Sequence, residues 1–373
     1  MSRYRRLFAT VFILALVLAA VSASHAQNPF AIQSIQPTTN GGIALTWFTP
    51  PGISNQVMYT DSLSDSWQNV ASGLIVAGTN VYSLSYTDYP AADVTQRFYR
   101  VKITRANLVM SLVLDRSGSM STDGGAFALP AAVSDFIDLF DDQLDHVSVS
   151  SFASGSTVDL PMCQPFKQAV KNVVNALAGE EHGYTASERG LTNGLAQQLV
   201  VPATGQEVVR VIVFFTDGMA NTWYNNFDCG PRDISYSGET YDPTTGASES
   251  CAGLPHTLPS IDPSTGVITP DAIVYNNCVD MHNEAERRAE RIAWLARSQG
   301  IYIFAIGMGN PSIGGECNGQ FPVLNPVFLK DIANTPDSAT YNPSQPSGGF
   351  AIAADASELQ AVFQQIASAL LSQ

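Results

Sequence analysis

Seven residues with a single polar interruption, Val209-Arg-Val-Ile-Val-Phe-Phe215, run directly into Thr216-Asp217-Gly218. A strand that is apolar on both faces has to be covered on both faces, as in a parallel sheet between two layers of helices. Further apolar runs at Leu108–Leu114, Val147–Phe152 and Ile301–Ile306 alternate with segments of helical period. These lie at roughly Ala126–Phe140, Phe166–Leu177, Ser187–Leu199, Glu284–Arg297, Val327–Ile332 and Ala356–Leu371. The alternation predicts that residues 106–373 form a doubly wound α/β domain with a mostly parallel sheet. Phe152–Leu160, turning at Ser154-Gly155, adds an antiparallel edge.

The preceding stretch has a different character. Residues 27–105 carry short β-branched and aromatic runs, Ile32–Ile35, Ile43–Phe48, Val57–Thr60, Val81–Tyr86 and Phe98–Ile103, separated by turn signals such as Asn40-Gly-Gly42 and Pro50-Pro-Gly52. Such spacing predicts a small all-β sandwich, with Trp47 and Tyr99 in its core. This stretch resembles the immunoglobulin-like and fibronectin-type domains of secreted bacterial proteins, and Gln96-Arg-Phe-Tyr-Arg-Val101 is similar to their last strand.

At the extreme N-terminus, Arg3, Arg5 and Arg6 precede an apolar run, Leu7–Val21, and a small-residue stretch ending Ser24-His-Ala26. The run is shorter than the roughly 20 residues of a membrane-spanning helix. Residues 1–26 therefore read as a signal peptide cleaved before Gln27, leaving no membrane-inserted segment and a protein that is secreted, surface-displayed or periplasmic. The chain has 18 Lys+Arg against 33 Asp+Glu, a net charge of −15, and loss of the three arginines takes it to −18. That balance argues against nucleic acid and against anionic membrane surfaces as partners. In an oxidising compartment the five cysteines, Cys163, Cys229, Cys251, Cys278 and Cys317, can pair with one left over. No Cys-x-x-Cys pair or Cys/His ligand spacing points to zinc.

Ligands of doubly wound sheets bind beyond the carboxyl ends of the strands, where the strand order reverses. Three segments there carry oxygen donors: Asp115-Arg-Ser-Gly-Ser119 after the first strand, Gly183-Tyr-Thr185 before a helix, and Thr216-Asp217-Gly218. Asp115, Ser117 and Ser119 alternate along an extended turn and can converge on one point, with Thr185 and Asp217 closing the site. Carboxylate and hydroxyl donors suit a hard divalent cation, Mg²⁺ first, with Mn²⁺ or Ca²⁺ as substitutes. Few carboxylates around such an ion leave room for an anionic outside ligand.

Together these segments resemble the metal-ion-dependent adhesion site of von Willebrand factor type A domains. The resemblance covers about 106–373 and includes Gly190-Leu191 after Thr185, the strand Ile301-Tyr-Ile-Phe-Ala-Ile-Gly307 and a closing helix led by Glu358-Leu359. It implies that Asp115, Ser117, Ser119 and Thr185 contact the metal, that Asp217 binds it directly or through water, and that a protein partner supplies a carboxylate to the open position. Asp123 lies where some integrin-type relatives place a ligand to an adjacent second cation, although a solvated loop acid is the plainer reading.

Between Asp217 and the helix near Glu284, an insertion at about 219–283 holds Cys229, Cys251 and Cys278. Asp242-Pro-Thr-Thr-Gly246 and Asp262-Pro-Ser-Thr-Gly266 each have the chemistry of a hairpin tip. With few aliphatic residues the insertion is expected to bury little core of its own. A disulfide, preferentially Cys251 with Cys278, would then staple it as a cap that selects the partner. Trp223 and Tyr224 read more readily as packing than as ligand contacts.

No nucleophile elbow, His-Glu-x-x-His or phosphate-binding Gly-Lys-Ser/Thr loop occurs. His182 and the Glu180-Glu181 pair read as solvated loop residues. The expectation is a non-enzymatic, secreted or surface-displayed binding and adhesion module. The alternative is a periplasmic, pilus-associated assembly factor using the same site.

Overall fold

The computed structural model describes residues 32–49, 54–76, 83–90, 94, 96–104, 107–180, 182–201, 208–275, 277–311 and 314–371. The proposed signal peptide at 1–26 and Glu181 lie outside the described residues. Contacts divide the chain into two compact units, the first ending at residue 105 and the second spanning 106–371.

The first unit is a β-sandwich. β1 (Ile32–Pro37), β2 (Ile43–Phe48) and β5 (Ser83–Asp88) form one antiparallel sheet in the order β1-β2-β5. β3 (Ser54–Thr60), β4 (Gln68–Val76) and β6 (Phe98–Thr104) form the other, in the order β4-β3-β6. Alternate residues of both sheets meet in one core of Leu45, Trp47, Val57 and Val70, with Tyr99 packed against it. The Trp47 indole N–H donates to Asn55 Oδ1 at 2.9 Å, so its polar edge is satisfied inside the core. Arg97 ties the sandwich edge, reaching Asp61 at 2.8 Å and Asp88 at 3.0 Å.

The second unit begins with β7 (Asn107–Asp115), the short helix α1 (Ser119–Thr122), α2 (Gly125–Asp138), β8 (His146–Phe152), β9 (Ser156–Cys163), α3 (Lys167–Leu177), α4 (Ser187–Gln198) and β10 (Val208–Thr216). The insertion follows: β11 (Thr222–Phe227), β12 (Gly230–Ser235), β13 (Thr240–Tyr241), β14 (Ser248–Glu249), β15 (Thr257–Ile261) and β16 (Ile268–Val274). The chain then returns to α5 (Cys278–Ser298), β17 (Tyr302–Met308), a small hairpin of β18 (Gly314–Glu316) and β19 (Phe321–Pro322), α6 (Pro326–Ala333), β20 (Gly349–Ala353) and α7 (Leu359–Leu371).

The main sheet has the order β20-β17-β10-β7-β8-β9, parallel except where β9 pairs antiparallel with β8. The period-2 alternation splits its side chains between two cores. Met110, Leu112, Val211, Val213 and Phe215 face α2, α3 and α7. Val113, Ile212 and Phe214 face α4, α5 and α6, where Ala289, Ala293 and Ala296 let α5 approach closely. From β7 the chain moves to β8 and β9 on one side, and β10 then returns to the other side of β7. The order therefore reverses between β7 and β10, and a crevice opens at their carboxyl ends.

Three features depart from the sequence reading. The strands β4 and β20 were not legible as strands. The helix expected from Glu284 begins at Cys278, where the Asn277 side chain accepts from the Val279 N–H at 3.1 Å as an N-cap. The insertion also has a core of its own: Ala220, Trp223, Phe227, Ile234, Leu258, Ile273 and Tyr275 pack on Met281 and Ala285 of α5. One or two apolar residues from each of β11, β12, β15 and β16, with Ala220 and Tyr275 beside them, supply it, so composition understated it. Trp223 is fully buried there and serves as packing.

The candidate metal centre

The register of β7 and β10 builds the site. Leu114 stands opposite Phe215, so Asp115 and Thr216 emerge side by side at the reversal point. Thr216 Oγ1 donates to Asp115 Oδ2 at 2.6 Å, and the Ser117 N–H donates to Asp115 Oδ1 at 2.7 Å. These two bonds fix the carboxylate and turn the chain, so that Ser117 and Ser119 follow on the same side, their hydroxyls 3.1 Å apart. Ser119 Oγ then donates to Asp217 Oδ1 at 2.8 Å. A β-carbon on Gly218 would stand 3.7 Å from Ser119 Oγ and 3.9 Å from Thr185 Oγ1, which places both hydroxyls around this backbone. The structure thus brings all five sequence-predicted residues, Asp115, Ser117, Ser119, Thr185 and Asp217, to one crevice.

The electrostatics of this cluster are unbalanced. Asp115 and Asp217 are 1% and 0% exposed, and no salt bridge reaches either among the described residues. Burial pushes the Asp115 carboxyl above the ordinary carboxylate range. Burial and then the neighbouring Asp115 charge push Asp217 up as well. Asp217 Oδ2 is buried with no hydrogen-bond partner. An orphaned carboxylate oxygen beside a second carboxylate and three hydroxyls is an all-oxygen donor set with uncompensated negative charge. It fits a hard divalent cation and not a soft one.

Asp123 lies one turn beyond Ser119, its N–H donating to Ser119 O at 3.0 Å; it is exposed, and its charge also raises Asp217. His182 is exposed, with Nδ1 2.7 Å from Glu180 O, and belongs to the loop and not to the site. A second cluster, Cys278, His282 and Cys317, has ligand atoms within 4.8 Å of one another. Both its sulfurs are joined in a disulfide, leaving no thiolate for a metal.

The disulfides correct the sequence reading. Cys229 pairs with Cys251 and Cys278 with Cys317, leaving Cys163 as a free thiol. Cys251 and Cys278 are near in sequence, but α5 carries Cys278 toward the chain that follows β17, where Cys317 waits. One bridge closes the insertion on itself, and the other ties its exit to the main domain.

The insertion also supports the site in a way the sequence did not signal. Asn221 Oδ1 accepts the Thr185 N–H at 2.7 Å, and the Asn221 N–H donates to Thr185 O at 3.1 Å. Next to this pair Tyr184 packs against Tyr236 and Tyr241, each with ring centroids 5.7 Å away, and its hydroxyl donates to Glu239 Oε2 at 3.0 Å. Between α4 and the insertion, Arg189 lies 4.7 Å over the Tyr224 ring, and Glu188 Oε2 accepts the Tyr224 N–H at 2.8 Å.

Residues 110–219, which span every candidate ligand, match the family model of the von Willebrand factor type A domain. Among solved structures the chain is similar to proximal thread matrix protein 1 from the mussel byssus with a zinc-occupied MIDAS motif. That match has 17% identity and a TM-score of 0.41, over 72% of this chain and 46% of that one. It is also similar to the pilus adhesin SpaC from Lactobacillus rhamnosus GG, at 15% identity and TM-score 0.48, over 93% of this chain and 36% of that one. A third is the PilB minor pilin from Streptococcus sanguinis, at 12% identity and TM-score 0.46, over 91% and 77%. The chain thus spans less than half the length of the mussel and Lactobacillus chains. All three TM-scores are below 0.5, and these likenesses carry no functional inference. No curated protein matches the sequence.

Proposed function

This chain carries a von Willebrand factor type A domain, and we propose that the domain is a Mg²⁺-dependent binding module that grips an acidic group of a protein partner. The observation that carries the reading is the convergence of Asp115, Ser117, Ser119, Thr185 and Asp217 around a buried carboxylate oxygen with no donor. Asp115 and the hydroxyls of Ser117, Ser119 and Thr185 would hold the ion, with Asp217 direct or through water. When bound, the ion supplies positive charge and an open coordination position, which a partner's Asp or Glu side chain would fill. The side chains described around the site hold one another in place by hydrogen bonds and leave the negative charge of Asp115 and Asp217 for the ion to offset. Binding without turnover is the reading.

The insertion braces the Thr185 loop at this crevice, Asn221 against Thr185 and Tyr236 and Tyr241 against Tyr184, and we assign it the selection of the partner. The basic start, apolar run and small-residue end of residues 1–26 support export. Among the described residues no helix is long and apolar enough to cross a membrane. On the strength of that N-terminal pattern we place the protein outside the cytoplasm, secreted, on the cell surface or in the periplasm.

Calorimetric titration with Mg²⁺ tests the site directly. The parent protein should bind one ion per chain, and Asp115→Ala should weaken binding by at least 100-fold with an unchanged circular dichroism spectrum. Equal Mg²⁺ affinity in the variant would overturn the proposal. Partner capture should be lost when chelator replaces Mg²⁺.

A further inference from the structure

Where the insertion ends, side chains of a different donor chemistry meet: Cys278 and His282 on the first turns of α5, and Cys317 in the hairpin of β18 and β19. Their ligand atoms lie within 4.8 Å of one another. In the oxidised chain the two sulfurs are bonded to each other and hold no metal. We infer that reduction of this bridge by a dithiol uncovers a two-cysteine, one-histidine site that takes Zn²⁺ in place of the disulfide.

The first observation is the placement of the ligands. Cys278 and His282 are four residues apart on one helix, so their side chains share a face. Cys317 meets that face from a turn in which Cys317 and Asn318 both have left-handed backbone, with φ of 52° and 58°. Its Cα is 5.5 Å from that of Cys278. Zinc holds sulfur at about 2.3 Å and imidazole nitrogen at about 2.0 Å, so tetrahedral ligand atoms stand about 3.5–3.8 Å apart. A cluster within 4.8 Å is near enough for side-chain adjustment to close it on one ion. Spacing along the chain does not show the site, because Cys317 lies 39 residues beyond Cys278.

The second observation is the state in which two of the ligands are held. The His282 ring is fully buried, stacks on Tyr236 with centroids 5.8 Å apart, and has Nδ1 2.9 Å from Ala220 O. A carbonyl oxygen only accepts, so Nδ1 carries the proton and the lone pair of the neutral ring is on Nε2. A backbone carbonyl orients a metal-binding imidazole in the same way. Cys278 is the first residue of α5, next to the Asn277 cap. The positive end of this 21-residue helix stabilises a thiolate there, which favours both opening of the bridge and ligation of a cation.

The exchange balances. The Sγ–Sγ bond of Cys278 and Cys317 breaks and the two sulfurs of the dithiol bond to each other. The dithiol gives two electrons and two protons, leaving two protein thiols. Zn²⁺ then displaces both protons and takes the two thiolates and His282 Nε2, with a fourth position for water. The end of the insertion stays tied to the β18–β19 hairpin in either state, by a bond or by an ion. Sulfur and nitrogen donors select against Mg²⁺, so the oxygen site keeps its own ion.

The test uses the full chain, reduced with a water-soluble phosphine that is then removed under nitrogen, and Co²⁺ as the spectroscopic probe for Zn²⁺. A thiolate-to-cobalt charge-transfer band and the visible bands of a tetrahedral site are expected at one ion per chain. They should be abolished by Zn²⁺ and absent from the oxidised chain. His282→Gln should weaken Co²⁺ binding at least 10-fold, and Cys278→Ser should remove the charge-transfer band, which separates this site from the thiols of Cys229 and Cys251. Because a variant at a buried histidine can fail to fold, the unaltered chain gives a second reading. Zn²⁺ should protect Cys278 and Cys317 from alkylation, by peptide mass spectrometry, and leave Cys163 as reactive as before. No charge-transfer band from a chain whose mass shows reduction overturns the proposal. So does an unchanged affinity in a folded His282→Gln, a band that survives in Cys278→Ser, or the absence of protection. A reduced chain that loses its native circular dichroism and does not regain it with Zn²⁺ overturns it as well. Mg²⁺ titration of the oxidised chain reads the oxygen site alone, so the two sites fail separately.

Discussion

Asn221 and Thr185 are joined twice, by the Thr185 N–H to Asn221 Oδ1 at 2.7 Å and by the Asn221 N–H to Thr185 O at 3.1 Å. One residue opens the insertion and the other is a proposed metal ligand from a different loop. The side chain of Asn221 is thereby the mould in which the Thr185 loop sets.

Asn221→Ala should accordingly weaken Mg²⁺ binding. It leaves the buried Thr185 N–H without an acceptor, a loss of about 1–3 kcal/mol that is divided between stability and the placement of the hydroxyl. We expect Mg²⁺ affinity to fall about 10-fold by calorimetry, with Asp217 and Asp115 intact. An unchanged affinity would show that the Thr185 loop holds itself.

Removing one of the two buried carboxylates should have opposite effects with and without metal. In chelator, Asp115 and Asp217 repel one another with no cation between them, so Asp217→Asn should melt at or above the parent temperature. In millimolar Mg²⁺ the parent gains stability by mass action while the variant gains less. Thermal melts in the two buffers should therefore cross over, and a variant that is less stable in both contradicts the electrostatic account.

Peptide mapping under non-reducing conditions should recover Cys229 linked to Cys251, Cys278 linked to Cys317, and Cys163 as an alkylatable thiol. The bridges enclose sequence separations of 22 and 39, for which the chain-entropy model gives about 3–4 kcal/mol each. Cys229→Ser with Cys251→Ser should lower stability by up to that amount. A Cys251–Cys278 peptide would refute the pairing.

Stability should also depend on pH through Glu286. Burial raises its carboxyl from an ordinary 4.5 to about 8, opposed by hydrogen bonds from Asn325 and reinforced by Glu290 and Asp331. For an acid whose folded pKa lies above its unfolded one, the folded state binds the extra proton. Stability from this group is full below about pH 4.5, declines as pH rises, and levels off above about 8. The slope is at most about 1.4 kcal/mol per pH unit. Denaturant titrations of Glu286→Gln at pH 5, 7 and 9 should show a flatter profile than the parent, with the largest gain at pH 9. Parallel profiles would remove Glu286 as the cause.

The sequence was legible where chemistry is local or periodic. Val209–Phe215 declared a strand buried on both faces, and Asp115-x-Ser117-x-Ser119 declared a turn of converging oxygens, because each pattern fits within one element. Thr185 could be joined to them by its place before a helix at the carboxyl ends of the strands, while its role as a metal contact came from the resemblance, since nothing in Gly183-Tyr-Thr185 alone specifies a ligand. Asn221 was invisible: an asparagine after Met219-Ala220 is ordinary until folding sets it against a loop 36 residues earlier. The disulfides were misread for the same reason, since the approach of Cys278 to Cys317 is decided by α5 and β17. β20 escaped notice because Gly349-Phe-Ala-Ile-Ala353 is short and follows a Pro/Ser/Gly-rich stretch. The insertion core escaped because its aromatic and aliphatic members are scattered one at a time.

At the turn between β8 and β9, the Ser156 N–H donates to Pro243 O at 3.2 Å, and a β-carbon on Gly155 would fall 2.7 Å from both Asp242 O and Gly246 N. Here the first insertion tip is seated backbone against backbone, with no side chain at the point of closest approach. Such a latch reads shape and not sequence. The outward faces of β11–β14 can diversify without loosening it, whereas one methyl group at Gly155 would unseat the whole tip. A lineage that needs new partners can therefore rewrite the insertion's surface residue by residue, provided that a single hydrogen atom at position 155 is never exchanged for carbon.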